Sequence, residues 1–196
     1  MTIYDPHAVQ KAYRKLIDSL SKPGTINILD EFRDSKDIKI PCNDSTYLFM
    51  QMLLDTEVTF HILGQNSETI SKYVSQITYA KSAPLHEADF IFLLQNREAG
   101  QLVNAIEQCK SGELINPHQS ATLIVEVEKI SKEEKYQLKG PGIETVQFMN
   151  IYEKDNWIEA RAQKNINYPI GIDIYFLDPE ARLLALPRTT IIDGLT

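Results

Sequence analysis

Asp173 and Arg188 are the residues of this 196-residue chain best placed to do chemistry. Asp173 ends the stretch Asn167-Tyr-Pro-Ile-Gly-Ile-Asp173 and opens the apolar run Ile174-Tyr-Phe-Leu177, while Arg188 follows the proline in Leu183-Leu-Ala-Leu-Pro-Arg-Thr-Thr190. A charge among apolar runs must find a polar partner or reach solvent, because burying it alone is costly. A guanidinium grips a carboxylate or phosphate through two parallel N–H bonds, and the hydroxyls of Thr189 and Thr190 would add donors. The structural alternative is an Arg188–Asp173 pair or a partner contact. Ion pairs at strand ends are ordinary, which favours that alternative.

Gly140-Pro-Gly142 is the second candidate. Small residues ahead of a short helix let backbone N–H groups approach an anion, and Lys139 stands beside them. The same residues also read as a tight turn needing positive φ. The turn is favoured because no phosphate-loop lysine-serine pair accompanies the glycines. The histidines, His7, His61, His86 and His118, show no i, i+4 pair of the kind that binds zinc on a helix. His61 lies in a strand-like run and reads as a satisfied histidine; His118 is a loop residue. Cys42 and Cys109 are far apart and read as two reduced thiols. No Gly-x-Ser-x-Gly elbow, Walker loop or dinucleotide fingerprint occurs, which removes the usual signals of a hydrolase, a nucleoside triphosphatase or a dehydrogenase.

The elements that must position these residues alternate in period. Asp5-Pro6 opens a helix whose Val9, Ala12, Tyr13, Leu16, Ile17 and Leu20 share one face, and Pro23-Gly24 stops it. Thr25 to Leu29 reads as a short strand. Ser45 is expected to cap a second helix so apolar (Tyr47, Leu48, Met50, Met52, Leu53, Leu54) that it must be buried or lie at an interface. Val58 to Leu63 is a strand and Glu68 to Ile77 has helical spacing. Ala88 to Leu94 and Ala121 to Val127 are continuous apolar runs of the kind covered on both faces, the second with Glu126 alternating outward. Lys135 to Lys139 is expected to pair with the latter across a charged turn, Lys129 to Glu134. Helices are expected over Glu98 to Cys109 and Asn156 to Lys164, and Asp178-Pro-Glu-Ala-Arg182 is a Pro-led turn between two neighbouring strands. The expected fold is one α/β domain over 1–196, a central mixed β-sheet flanked by helices.

The two C-terminal motifs together resemble the C-terminal signature of the H subunit of the bacterial carbon-phosphorus lyase complex. Tyr13-Arg-Lys-Leu-Ile-Asp-Ser-Leu-Ser-Lys-Pro-Gly24 is similar to that family's N-terminal helix and its stop. Ser120-Ala-Thr-Leu-Ile-Val-Glu-Val127 and Leu138-Lys-Gly-Pro-Gly-Ile143 are similar to its central segment. Tyr13 and Tyr168 stand where phenylalanine is commoner, and Asp55 to Leu85 matches only in pattern. The resemblance implies a fold similar to the large domain of pyridoxal-phosphate transferases without the cofactor, and a homodimer when isolated. It also implies a place in an ATP-consuming assembly with subunits G and I, with L as a functional partner. That assembly displaces a purine base and attaches an alkylphosphonate to the ribose 1-position, after which the iron-sulfur subunit J breaks the C–P bond. Such a subunit has a structural or allosteric role.

Composition sets limits on partners while leaving room for phosphate at a local site. The chain is 43% hydrophobic, enough for one sizeable core, and 20 basic against 27 acidic residues give −7, which argues against nucleic acid or an anionic membrane surface. No run approaches the ~18 apolar residues of a spanning helix, and the first residues do not read as a targeting segment, so a cytoplasmic location is expected. Two other classes compete. A pyridoxal-phosphate enzyme needs a Schiff-base lysine at a strand end, and no lysine has that setting. A stand-alone phosphate- or nucleotide-binding enzyme has only Gly140–Gly142 and Arg188 to build on.

Overall fold

The computed structural model describes residues 6–29 and 40–194. Strands β1 (Asn27–Ile28), β2 (Thr59–Leu63), β3 (Lys81–Ser82), β4 (Phe90–Leu93) and β5 (Thr122–Glu126) are followed by β6 (Lys129–Lys139), β7 (Gln147–Tyr152), β8 (Asp173–Leu177), β9 (Arg182–Leu186) and β10 (Ile191–Gly194). Seven of them form one sheet in the order β1-β9-β8-β5-β4-β2-β3. From β3 to β8 neighbours run parallel, while β9 pairs antiparallel with both β8 and β1, so the central sheet is mixed as expected.

The expected helices are present as α1 (Pro6–Ser21), α2 (Asp44–Leu53), α3 (Ser67–Thr78), α4 (Gln101–Gln108) and α5 (Trp157–Lys164). They divide between the two faces of the sheet. On one, Ala12 and Leu16 of α1, Leu48 and Phe49 of α2 and Val74 of α3 pack on Phe60, Phe92, Ile124 and Tyr175. On the other, Leu102 and Ile106 of α4 and Trp157 of α5 pack on Ile91, Leu123, Ile174 and Phe176. Odd and even residues of β4, β5 and β8 thus face different cores, which is why these strands are apolar throughout. Each fully buried Phe or Leu contributes about 1.5–3 kcal/mol by leaving water.

Five expectations are corrected. Helix α2 starts at Asp44 with Asn43 at its N-cap, and Ser45 lies inside the helix, buried, rather than capping it. The stripe of α1 is narrower than its periodicity suggests: Ala12 and Leu16 are buried, while Tyr13 and Ile17 are 47% and 49% exposed. From the sequence, Tyr4, Tyr47 and Trp157 can be taken as exposed contact residues, with core packing explaining them at least as well; Tyr47 and Trp157 are core side chains, and Tyr4 lies outside the described residues. Glu126 points into the protein, not outward.

The fifth concerns the charged stretch Lys129 to Glu134. It is not a turn but the first half of β6, an eleven-residue strand that leaves the main sheet and pairs with β7 and β10 in a second, antiparallel sheet. Its register slips between Ser131 and Tyr136, and most of its Lys and Glu side chains face water, which is what makes the sequence look like a loop. The partners of β5 are β4 and β8.

Candidate functional site

The β8–β9 hairpin sets Asp173 and Arg188 at its open end. Asp173 Oδ1 accepts from the Arg188 backbone N–H at 2.7 Å, and Oδ2 accepts from Arg188 Nη2 at 2.7 Å. The guanidinium goes further: Nη1 donates to the carbonyls of Pro117 and Pro169, each at 3.1 Å, Nη2 also to Ser120 Oγ at 2.7 Å, and Nε to Asp173 Oδ1 at 3.4 Å. All five N–H donors of the side chain are thereby used. This is the structural alternative foreseen for the pair, and it leaves no donor of Arg188 for a phosphate.

Thr189 and Thr190 lie in the turn between β9 and β10. That turn is gripped by Arg161 of α5, a residue the sequence reading missed. Its Nη1 donates to the Thr190 carbonyl at 3.0 Å and its Nη2 to the Pro187 carbonyl at 2.6 Å. Burial pulls the Arg161 guanidinium down to about 10, against the opposing pull of the Asp173 charge. The one sequence signal for it was position: four residues after Trp157, it shares the buried face of α5.

Gly140 belongs to the same cluster. A Cβ there would sit 2.8 Å from the Thr189 carbonyl oxygen. Gly142 does not: its Cβ position lies 2.2 Å from the Ser21 carbonyl oxygen at the end of α1. No helix follows Gly142; the chain continues to β7. Both glycines have positive φ, 139° and 82°, and both face backbone carbonyls rather than open space. Both sit in tight backbone that needs positive φ, as the turn reading expects.

A second polar cluster, unforeseen, lies at the carboxyl ends of the parallel strands. Glu126 Oε1 accepts from the Asn43 N–H at 2.7 Å and Oε2 from the Gln95 N–H at 2.9 Å, which ties the start of α2 and the end of β4 to β5. Arg97 donates to the carbonyls of Leu94 and Glu126, both at 2.8 Å, and pairs with Glu153, both side chains being nearly inaccessible. Burial raises the Glu126 carboxyl above its ordinary value, outweighing its hydrogen bonds and the Arg97 charge. A group so raised stabilises the fold most at low pH and loses that contribution as pH rises through the folded value. Replacing it by Gln removes this titration and one of the two backbone acceptors. The wild type is expected to melt higher than Glu126→Gln at pH 4 by several degrees, with the margin narrowing towards pH 8; a margin that widens would contradict the assignment.

Open parallel sheets usually bind ligands at this edge, where the strand order reverses. Here the reversal falls between β2 and β4, and Asn96 fills it: its Oδ1 accepts from the Gln65 N–H at 3.0 Å and lies 2.7 Å from the Cβ position of Gly64. A cavity of about 570 Å³ lies instead at the start of α2 and the β8–β9 turn, lined by Leu29, by Cys42 to Ser45 and by Pro179 to Ala181. Its described lining holds the carboxylates of Asp44 and Glu180. Burial pushes the Cys42 thiol far above its ordinary value and Cys109 up to about 11, so neither is a ready nucleophile. His61 Nδ1 lies 2.8 Å from the Ala83 carbonyl oxygen, the satisfied histidine expected. Asp155 fills the start of α4, accepting from the N–H groups of Gly100 and Leu102 at 2.6 and 2.9 Å. Among the described residues no group of three or more His, Cys, Asp or Glu side chains is arranged to hold a metal ion, and no helix is long and apolar enough to cross a membrane.

The polar clusters of this molecule are thus turned inward, holding loops and strand ends to one another. Comparison with known proteins places that architecture. The chain is 26% identical over 185 residues, 94% of its length and 85% of the relative's, to a protein of Stutzerimonas stutzeri named putative C-P lyase subunit protein HtxG. Residues 3–193 match the family model described as bacterial phosphonate metabolism protein (PhnH). With nearly its whole length matched, the chain belongs to the PhnH family of bacterial phosphonate metabolism proteins.

Proposed function

We propose that the protein is a subunit of a carbon-phosphorus lyase assembly, required for alkylphosphonate catabolism and contributing structure or allosteric control rather than its own catalytic centre. The family match over residues 3–193 carries this reading. The saturation of Arg188 supports its non-catalytic side, since the arginine that the C-terminal motifs offer for a phosphonate spends every donor on the protein itself. In this reading the assembly transfers the phosphonate to the ribose 1-position of a nucleoside triphosphate with loss of the purine base. The partners are subunits of types G, I and J, with L acting alongside, and the isolated chain is a cytoplasmic homodimer without resident cofactor. The seven-stranded mixed sheet then corresponds to the large domain of pyridoxal-phosphate transferases. Asp173, Arg188, Thr189, Thr190, Gly140 and Gly142 serve as scaffold. The rival reading, a stand-alone phosphate- or nucleotide-binding enzyme, needs free donors at these positions.

The test is growth. A strain deleted for its own family member and supplied with methylphosphonate as sole phosphorus source is expected to grow when this chain is expressed with its cognate partner subunits. Failure of the chain to restore growth, with those same partners supporting growth alongside their known family member, would overturn the proposal.

A further inference from the structure

The Arg188 hub has a surface counterpart. The two loops it joins, 110–120 between α4 and β5 and 165–172 between α5 and β8, carry Leu114, Ile115, Ile166 and Tyr168 at 72%, 88%, 67% and 72% exposure. Leaving four such side chains in water is costly, and at roughly 200 Å² for a fully exposed large side chain they present on the order of 600 Å². That is the upper end of what a monomer exposes and most of one partner's share, ~800 Å², of a standard interface.

These loops are held rigidly. Gly171 N–H donates to the Ser111 carbonyl at 2.9 Å, and Arg188 Nη1 bonds one carbonyl from each loop. Lys164 Nζ donates to the carbonyls of Glu107 and Cys109 at 2.9 and 2.6 Å, and the Asn165 side chain closes on the backbone of Ile172. Ser111 and Ser120 form a bridge across the neck of the first loop. A surface fixed in advance binds without the cost of ordering it.

We propose that this patch is the docking surface for another protein subunit, one presenting an apolar contact face in a neutral-to-basic surround. The inference rests on the reading of the chain as a complex subunit. Charge selects the occupant. Residues 111–119 and 165–171 contain one carboxylate, Glu113, and no lysine or arginine, so neither nucleic acid nor an anionic bilayer finds a countercharge there. A second copy seated on the same patch would set its own Glu113 against loops that hold no lysine or arginine to answer it, whereas a neutral or basic partner surface would not.

The experiment co-expresses the tagged chain with the G-, I- and J-type subunits and compares it with Ile115→Asp, Ile166→Asp and the control Tyr79→Asp, whose exposed ring lies at the end of α3. The wild type and the control are expected to recover the partners, and each patch variant to lose at least tenfold. Thermal unfolding of the variants should stay within a degree or two of the wild type, and the mass of the isolated chain by light scattering should not change. Patch variants that retain the partners overturn the proposal. So does a patch variant that alters self-association of the isolated chain, which would make a second copy the occupant. A wild type that recovers no partner removes the subunit reading and the patch with it.

Discussion

Asp173→Ala should lower the melting temperature by about 5–10 °C. The substitution removes the acceptor of both the Arg188 backbone N–H and its guanidinium, leaving a cation that is only 16% exposed without its carboxylate. Breaking a buried pair from one side costs ~3–5 kcal/mol, and the partial exposure of this one brings the expectation to about 2–3 kcal/mol. At about 2–4 °C per kcal/mol for a chain of this size, that gives the shift stated. Arg188→Lys keeps the charge but replaces a five-donor fork with a compact ammonium, which cannot reach Asp173, Ser120 and the carbonyls of Pro117 and Pro169 together, so it should lose more than half as much stability as Asp173→Ala. Melting curves of the two variants within a degree of the wild type would show that the hub does not hold the loops.

This pair also shows what was legible beforehand. Asp173 opens β8 and Arg188 lies two residues beyond β9, strands joined by a four-residue turn, so their pairing followed from short-range rules. The turn itself has the expected form, Asp178 Oδ1 accepting from the N–H groups of Glu180 and Arg182 at 3.0 and 2.9 Å. The helices and the buried strands followed from periodicity. What was not legible depends on contacts between distant segments. Glu126 looked like the solvent-facing position of an alternating strand, yet it accepts from Asn43, 83 residues away, and from Gln95. Arg161 looked like one more charge on a polar helix. The first half of β6 read as a turn because its partner, β7, lies further along the chain in a second sheet that short-range pattern does not show. The helical stripe of α1 was too generous for the same reason: periodicity marks which residues share a face, not how wide a neighbour covers it.

Gly142→Ala should be the most damaging single-methyl change in the protein. At φ 82° any Cβ is strained, and this one would also stand 2.2 Å from the Ser21 carbonyl oxygen, a backbone atom that cannot swing away. Gly100 separates the two effects. Its φ is 86°, and nothing lies within 4 Å of its Cβ position. Gly100→Ala therefore pays only the left-handed backbone cost of about 1–2 kcal/mol. Gly142→Ala adds the clash and is expected to lose more than ~4 kcal/mol, a size reached when a close-packed site must be pushed apart. The measurement is denaturant unfolding of both variants; equal losses would mean that the β6–β7 turn is not clamped against the end of α1. The glycine pair, which invited comparison with a phosphate cradle, then has a mechanical explanation.

The central claim, that this chain works inside an assembly and supplies no catalytic centre of its own, is tested most directly by release of purine base from a nucleoside triphosphate in the presence of methylphosphonate. Three samples suffice: the chain alone, the G, I and L types of subunit alone, and all together. The account predicts base release only in the third. Turnover by the chain alone, or turnover by the partners undiminished without it, would contradict it.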